Sequence, residues 1–564
     1  MRRLSILPCF LLTVSSTLAQ LTTYINPIIP GYRPDPSCTA VNGTFFCISS
    51  SFNNFPGLPI YASKDLINWR HVSNVIHKEE QVPEYSQIRG QQEGVYAPTL
   101  RYRDGTFYVI VTFMGANDSP FNFIFTSTDP LDPESWGQPV KFRNNELGSF
   151  DPDIFWDHDG QSYVTVHVFD IVGNNQYPVN VTTGAYGANY NLWNGTGRVW
   201  PEGPHVYKKD DWYYLLIAKG GTGSDHSATI ARSRNLRGPY DAYVNNPILT
   251  NRGTNEYFQA VGHADLFQDL AGNWWGVALS VRTPRIRNAT PMGRETVLYP
   301  VTWAEGDWPV CTPVRGTMTG PLPPASHDIP GSGSWVKDGD DYNFTSSSLP
   351  LHFTHFRLPP PDFYTIRDGG LIVAPSKSNL TGGATFNPNV DRIAFIGRRQ
   401  TDTLFTYDVD LDFTPSVEGE EAGVTLFLTQ TQHADLGVVY LDAKPQVRFR
   451  VTAIGADQAT NDPAGYERII ALPEGVGGKT VRLQIQAVSE TTYEFGIGVG
   501  GGELDLVGTA NATLVSGGEG SFIGSFVGVF ATSNGGEGNT KATFVRWMYQ
   551  GEGQGIDHGT IVPS

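Results

Sequence analysis

The chain has 564 residues with a formal net charge of −17, 62 Gly and 12 % aromatics. That length exceeds one ordinary domain, and an acidic surface lacks the basic footprint that nucleic acid or an anionic membrane requires. Gly, aromatics and few helix-period stretches favour many short strands joined by turns.

The chain opens with Met1-Arg2-Arg3, an apolar run from Leu4 to Leu12 and a small-residue stretch ending Thr17-Leu18-Ala19. This pattern predicts a cleaved secretory signal over 1–19, and losing Arg2 and Arg3 takes the charge from −17 to −19. No later apolar run approaches the roughly 20 residues of a membrane helix. A secreted, extracellular protein follows. Eight Asn-x-Ser/Thr sequons, at Asn42, Asn117, Asn180, Asn194, Asn288, Asn343, Asn379 and Asn511, suit a secreted glycoprotein.

Cys9 lies in the signal, leaving Cys38, Cys47 and Cys311. In CTAVNGTFFC the dipeptide Asn42-Gly43 reads as a two-residue hairpin turn. Counting outward places Cys38 opposite Cys47 at a non-hydrogen-bonded pair, where Cα atoms approach to about 4.5 Å. That separation suits a disulfide, with two free thiols as the alternative. Cys311 stays unpaired.

From there a weak repeat runs through the chain. A turn followed by aromatic-rich strand residues recurs around Gly43, Gly105, Gly160, Asp211 and Gly272, at spacings of 62, 55, 51 and 61 residues. Each turn follows a short strand: SCTAV, PTLRY, DIFWD, HVYKK and DLFQD. Each interval holds one four-stranded antiparallel sheet, so residues 20–318 read as a five-bladed β-propeller with each blade's first strand at the axis. Eight or nine residues before each turn stand Asp35, the Tyr96-Ala97 pair, Asp151, Glu202 and His263. Equivalent blade positions ring the axis at one end. These residues should therefore meet in one pocket.

Residues 319–335, TGPLPPASHDIPGSGSW, read as a linker. Alternating runs such as DVDLDF and VRLQIQ predict an antiparallel β-sandwich over 336–550. Residues 551–564 read as a loose tail. The fold class is all-β throughout.

Three carboxylates in one pocket suit glycosidic bond cleavage. A general acid protonates the departing oxygen and a general base activates water; groups about 6.5–9.5 Å apart give inversion, whereas about 5–5.5 Å gives retention. Like charges raise one pKa. Glu202, among the apolar and small residues of WPEGPH, fits the acid, Asp35 in RPDPS the base, and Asp151 in SFDPD a group that orients the acid and holds its pKa up. Each motif alone is weak, since Asp-Pro is ordinary turn chemistry. A propeller that only binds carbohydrate would be expected to have lost one of the three, and all are present.

NPIIPGYRPDPS, SFNNFPGLPIYASKDLINW, GVYAPTLRY, GSFDPDIFWDHDG, WPEGPHVYKKDDWYYLLIAKGGTG, QAVGHADLFQD and GRETVLYPV together resemble glycoside hydrolase family 43. The nearer resemblance is to its β-xylosidase and α-L-arabinofuranosidase members with a C-terminal concanavalin-like sandwich. It implies inverting, exo-acting release of terminal xylose or arabinose from xylan- or arabinan-derived saccharides, β-xylosidase foremost. By the resemblance Asp35 is the general base, Asp151 the pKa modulator and Glu202 the general acid. Phe52, Phe150 and Thr222 match sugar-pocket walls, and Arg294 an arginine contacting sugar hydroxyls. His263 matches an axial histidine near which some members hold Ca2+ or water, although no cofactor is required. The chain departs from family pattern at Tyr96-Ala97, where Trp-Ala is common, and at Arg33 before the PDP motif; both positions are expected beside the sugar. Phe522 in GSFIGSF matches a sandwich loop that closes the pocket, with core packing as the alternative. Asp153 and Asp157 are expected to turn away. The implied partner is an oligosaccharide or polysaccharide substrate, and the oligomeric state is left open.

Overall fold

The computed structural model describes residues 21–564 apart from 116–119, 143–148, 169–172, 198–199, 285–288, 383–385, 389, 457–465, 474–475, 477–478 and 501. The expected signal over 1–19 and the sequons at Asn117 and Asn288 lie outside the described residues.

Five four-stranded antiparallel sheets follow one another along the first half, each built in simple up-and-down order. Their leading strands are Ser37–Val41, Gly94–Arg103, Ser149–Trp156, Glu202–Lys209 and Phe258–Gln268. Consecutive leading strands lie side by side, and the fifth returns to the first, so the five close a cycle. The predicted hairpin forms in register, with Val41 opposite Thr44 and Cys38 opposite Cys47. Those cysteines form a disulfide with Cα atoms 4.2 Å apart. Cys311 is the free cysteine among the described residues, and burial pushes its thiol up to about 12.

Four of the five leading strands begin with the same distortion. The ladder slips between Tyr96 and Thr99, Phe150 and Asp153, Glu202 and His205, and Gly262 and Asp265. At the bulge the backbone enters positive φ at Ala97 (45°), Asp151 (54°), Gly203 (54°) and His263 (47°), as it does at Asp35 (52°) in the first sheet. Such bulges re-aim side chains next to functional sites. They also correct the sequence register. Asp35, Ala97, Asp151 and His263 are equivalent, but their counterpart in the fourth sheet is Gly203, and Glu202 stands one residue earlier, level with Tyr96 and Phe150. A Cβ on Gly203 would lie 3.0 Å from the His263 ring, so the fourth sheet presents its carboxylate from the preceding residue.

Beneath the bulges Arg101 fills the centre of the cycle. It donates to Asp153 (2.8 Å), to both oxygens of Asp265 (2.8 and 3.3 Å) and to Ser37, and lies 3.0 Å from His205 Nδ1. Burial works against the guanidinium charge, but Asp265 and Asp153 overcome it and raise its pKa. Asp153 is thereby structural, as is Asp157, which accepts the Tyr213 hydroxyl at 2.7 Å.

The second half stacks a six-stranded sheet and a nine-stranded sheet around one apolar core. Two sequence boundaries shift. Thr319 and Gly320, assigned to the linker, complete the strand Thr317–Gly320, which pairs with Thr22–Ile25 at the start of the chain. The expected loose tail is largely a strand: Ala542–Asp557 runs through it and folds back onto Thr560–Val562. Its glycines hide the alternation that marks a strand. Backbone and side-chain bonds hold it nonetheless, with Thr403 N donating to Gly553 O at 2.9 Å and Arg282 to Gln554 Oε1 at 2.7 Å. Arg282 is itself fixed by a fork onto buried Glu295 of the same sheet at 2.6 and 2.7 Å, so its bonds to Gln554 and Thr403 tie the fifth sheet to the sandwich. A second seam pairs His355–Phe356 with Asn54–Phe55. Among the described residues no helix is long and apolar enough to cross a membrane.

Candidate active site

The four bulges, and the positive-φ turn at Asp35 ahead of the first sheet, bring their side chains toward the same end of the cycle. Asp35 and Asp151 are both more than nine-tenths buried, and His263 stands between them, its Nδ1 3.7 Å from Asp35 Oδ1 and 4.0 Å from Asp151 Oδ2. Burial lowers the His263 pKa to about 4 against the pull of Asp35, so the imidazole is neutral at neutral pH and spaces the carboxylates without neutralising them.

Each carboxylate is held differently. Asp35 Oδ2 accepts the Ser50 hydroxyl at 2.6 Å, and that hydroxyl accepts the Ala97 N–H at 2.7 Å. With its acceptor side occupied, Ser50 directs its proton to Asp35. The Asp151 amide donates to Thr112 Oγ1 at 3.1 Å, and its Oδ2 accepts the Gly203 N–H at 3.0 Å. Asp151 thus grips the peptide that follows Glu202.

Arg294, from the fifth sheet, supplies the opposing charge. Burial lowers its pKa, and the attraction of Asp35, Glu202 and Asp151 resists that. All three therefore lie within its field. The Glu202 carboxyl is pushed up to about 7, chiefly by burial, with Arg294 opposing and Asp35 reinforcing. Asp151 is also raised, by burial and then by Glu202 and Asp35. Like charges so close titrate as a unit. The Gly203 N–H opposes the rise at Asp151 without cancelling it.

Aromatic groups wall the site. Tyr96 packs edge-on against Phe52 at 4.4 Å, and its hydroxyl donates to the Gln92 carbonyl. Phe522 reaches in from the sandwich: its ring lies 4.4 Å from the Arg294 guanidinium carbon and 6.2 Å from Phe52, and its N–H donates to Gln92 Oε1 at 2.9 Å. Phe522 also packs on the sandwich core. Phe150 meets His167 at 4.8 Å on the other side. Thr222 is exposed at the rim, its carbonyl accepting from Arg294 at 3.3 Å.

Arg33 is the exception. It is expected beside the sugar, yet it is buried against the first sheet, donating to Tyr61 Oη at 2.7 Å and to the Pro30 carbonyl. Burial lowers its pKa, with Tyr61 opposing and Arg399 and Arg398 of the sandwich adding to the fall. Both residues, Arg33 and Asp35, precede the strand Ser37–Val41, and the positive φ at Asp35 (52°) breaks the extended run that would have put them on one face.

For Ca2+ the donor set is a poor match. Among the described residues no group of three His, Cys, Asp or Glu side chains is arranged around a common point, and a neutral imidazole does not replace the six to eight oxygens that Ca2+ takes.

Ser50, Arg101 and Gln92 carry no recognisable motif. Arg101 alone had a signal, because a two-residue step from Asp35, Asp151, Gly203 and His263 reaches Ser37, Asp153, His205 and Asp265, the four residues that meet it.

Comparison with known proteins gives a consistent result. The family described as "Glycosyl hydrolases family 43" matches residues 24–309, and "Beta xylosidase C-terminal Concanavalin A-like domain" matches residues 341–550. A protein of Bacteroides ovatus named non-reducing end alpha-L-arabinofuranosidase BoGH43B is 34% identical, over 94% of this chain and 95% of its own. A xylosidase/arabinosidase of Butyrivibrio fibrisolvens is 33% identical over 76% of this chain and 81% of its own. Among solved structures, the BlXynB protein of Bacillus licheniformis superposes with a TM-score of 0.82 at 27% identity, covering 94% of this chain and 100% of that one.

Proposed function

The chain belongs to glycosyl hydrolase family 43, and from that premise we propose that it is a secreted, inverting exo-glycosidase releasing terminal pentoses from xylan- or arabinan-derived saccharides, with β-xylosidase its main activity. The five cyclic sheets are read as the blades of a five-bladed propeller, and the second half as the domain that closes its pocket. One observation carries the reading: Asp35, Asp151 and Glu202, from three separate sheets, share the field of Arg294 around one neutral imidazole.

In this mechanism Asp35 takes a proton from a water molecule, which attacks the anomeric carbon. Glu202 gives its proton to the glycosidic oxygen as the bond to that carbon breaks. Asp151 acts by holding the Gly203 peptide and hence the Glu202 carboxyl. Arg294 binds sugar hydroxyls and limits the charge that accumulates, while Phe52, Tyr96, Phe150, Thr222 and Phe522 enclose a single sugar. Asp35 then loses and Glu202 regains a proton from solvent. Secretion is supported by the Cys38–Cys47 disulfide and by the character of residues 1–19.

A second reading, α-L-arabinofuranosidase as the main activity, is favoured by the printed activity of the Bacteroides ovatus relative. A panel of aryl β-xylosides, α-L-arabinofuranosides and hexosides, with xylo- and arabino-oligosaccharides, separates the two. Proton NMR of the first product formed tests the stereochemistry: the inverted anomer is expected, and retention would refute the mechanism.

A further inference from the structure

Among the described residues Trp200 is the one tryptophan with a largely exposed side chain, 41% accessible. It stands two residues before Glu202, on a backbone held at φ 55°. Its ring is 5.9 Å from the His167 ring and 6.4 Å from that of Phe150, the neighbour of Asp151. His167 is itself fixed, its Nδ1 2.9 Å from the carbonyl of Pro201, the residue between Trp200 and Glu202. On another side, Trp200 Cδ1 is 3.8 Å from where a Gly221 side chain would begin, and Gly221 precedes the Thr222 carbonyl that binds Arg294. The indole is thus braced at the mouth of the pocket with part of its surface in solvent.

The position has a chemical meaning. The departing oxygen must lie next to Glu202, so the sugar attached to it must leave the pocket past the segment that carries Glu202. An exposed aromatic surface braced there suits the apolar C–H face of a sugar ring.

We propose that Trp200 is the platform of the leaving-group subsite, on which the penultimate sugar of the saccharide rests while its link to the terminal pentose is cleaved. This rests on the hydrolase reading and adds what determines preference for a sugar, as opposed to a small, leaving group.

The test compares kcat/KM for xylobiose with that for β-D-xylopyranosyl fluoride, whose leaving group has no face to stack. In Trp200→Ala the xylobiose-to-fluoride ratio should fall about tenfold, the scale expected for losing an apolar contact of this size; in Trp200→Phe it should fall less. Should Trp200→Ala not fold, Trp200→Leu, which keeps apolar bulk without a flat ring, gives the same reading. An unchanged ratio, whether both rates are retained or both fall together, overturns the proposal, because the residue would then matter only for placing Glu202. A wild-type protein inactive on both substrates would instead overturn the β-xylosidase reading on which the proposal rests.

Discussion

Raising the pH from 7 to 9 should switch this enzyme off through one proton. Burial pushes the Glu202 carboxyl up to about 7, with Asp35 adding to it and Arg294 subtracting. Such a group is about half protonated at pH 7 and about 1% protonated at pH 9, so a reaction needing it as acid loses about fiftyfold, approaching tenfold per pH unit. The assay is kcat/KM across pH 5–10 on two substrates, an alkyl xyloside with a poor leaving group and an activated aryl xyloside. The alkyl substrate should show the full basic limb. The aryl substrate should show a flatter one, because its leaving group departs with less protonation. Glu202→Gln should lose the limb together with most activity on the alkyl substrate. A limb centred below about pH 5, or one that persists in Glu202→Gln, would refute the assignment of the proton to this residue. The same proton is linked to stability. Its folded pKa lies above the unfolded value of 4.5, so its contribution is full below that value and lost as pH rises through about 7.

Other consequences can be checked separately. Gly203→Ala places a Cβ 3.0 Å from the His263 ring at positive φ; it should cost about 1–3 kcal/mol of stability and, by displacing Glu202, lower kcat more than it raises KM. Arg282→Leu leaves Glu295 buried without its fork and should destabilise by about 3–5 kcal/mol, read as a lower urea midpoint. Reduction should add two hydrogens to the peptides joined by Cys38 and Cys47 and leave the Cys311 peptide unchanged. If the protein is glycosylated, mapping should find sugar on exposed Asn42, Asn180, Asn194 and Asn343 before Asn379, whose amide nitrogen donates to Asn534 Oδ1 at 3.1 Å.

Much of the fold was legible because its turns recur. The Asn42-Gly43 hairpin set a register that the ladder reproduces, and five turn-and-aromatic strings marked five sheets. Glu202 was found but misaligned, since a bulge shifts a side chain by one residue without leaving a mark in the sequence. Arg33 departs from expectation for a related reason: adjacency to a PDP motif does not say which way a residue ahead of the strand points, and Arg33 turns to Tyr61. Gln92 and Phe522 meet across 430 positions, and no local pattern encodes such a contact. The terminal strand through Gly551 and Gly553 escaped notice because glycines carry no alternation to read.

The division of labour between Asp35 and Glu202 is tested most directly by leaving-group rescue. Glu202→Ala and Asp35→Ala should each be slowed by about 10²–10⁴-fold on an alkyl xyloside. An aryl xyloside with a strongly acidic phenol should restore much of the rate to Glu202→Ala and almost none to Asp35→Ala. Equal restoration of both variants, or restoration of Asp35→Ala alone, would contradict the roles given to the two carboxylates.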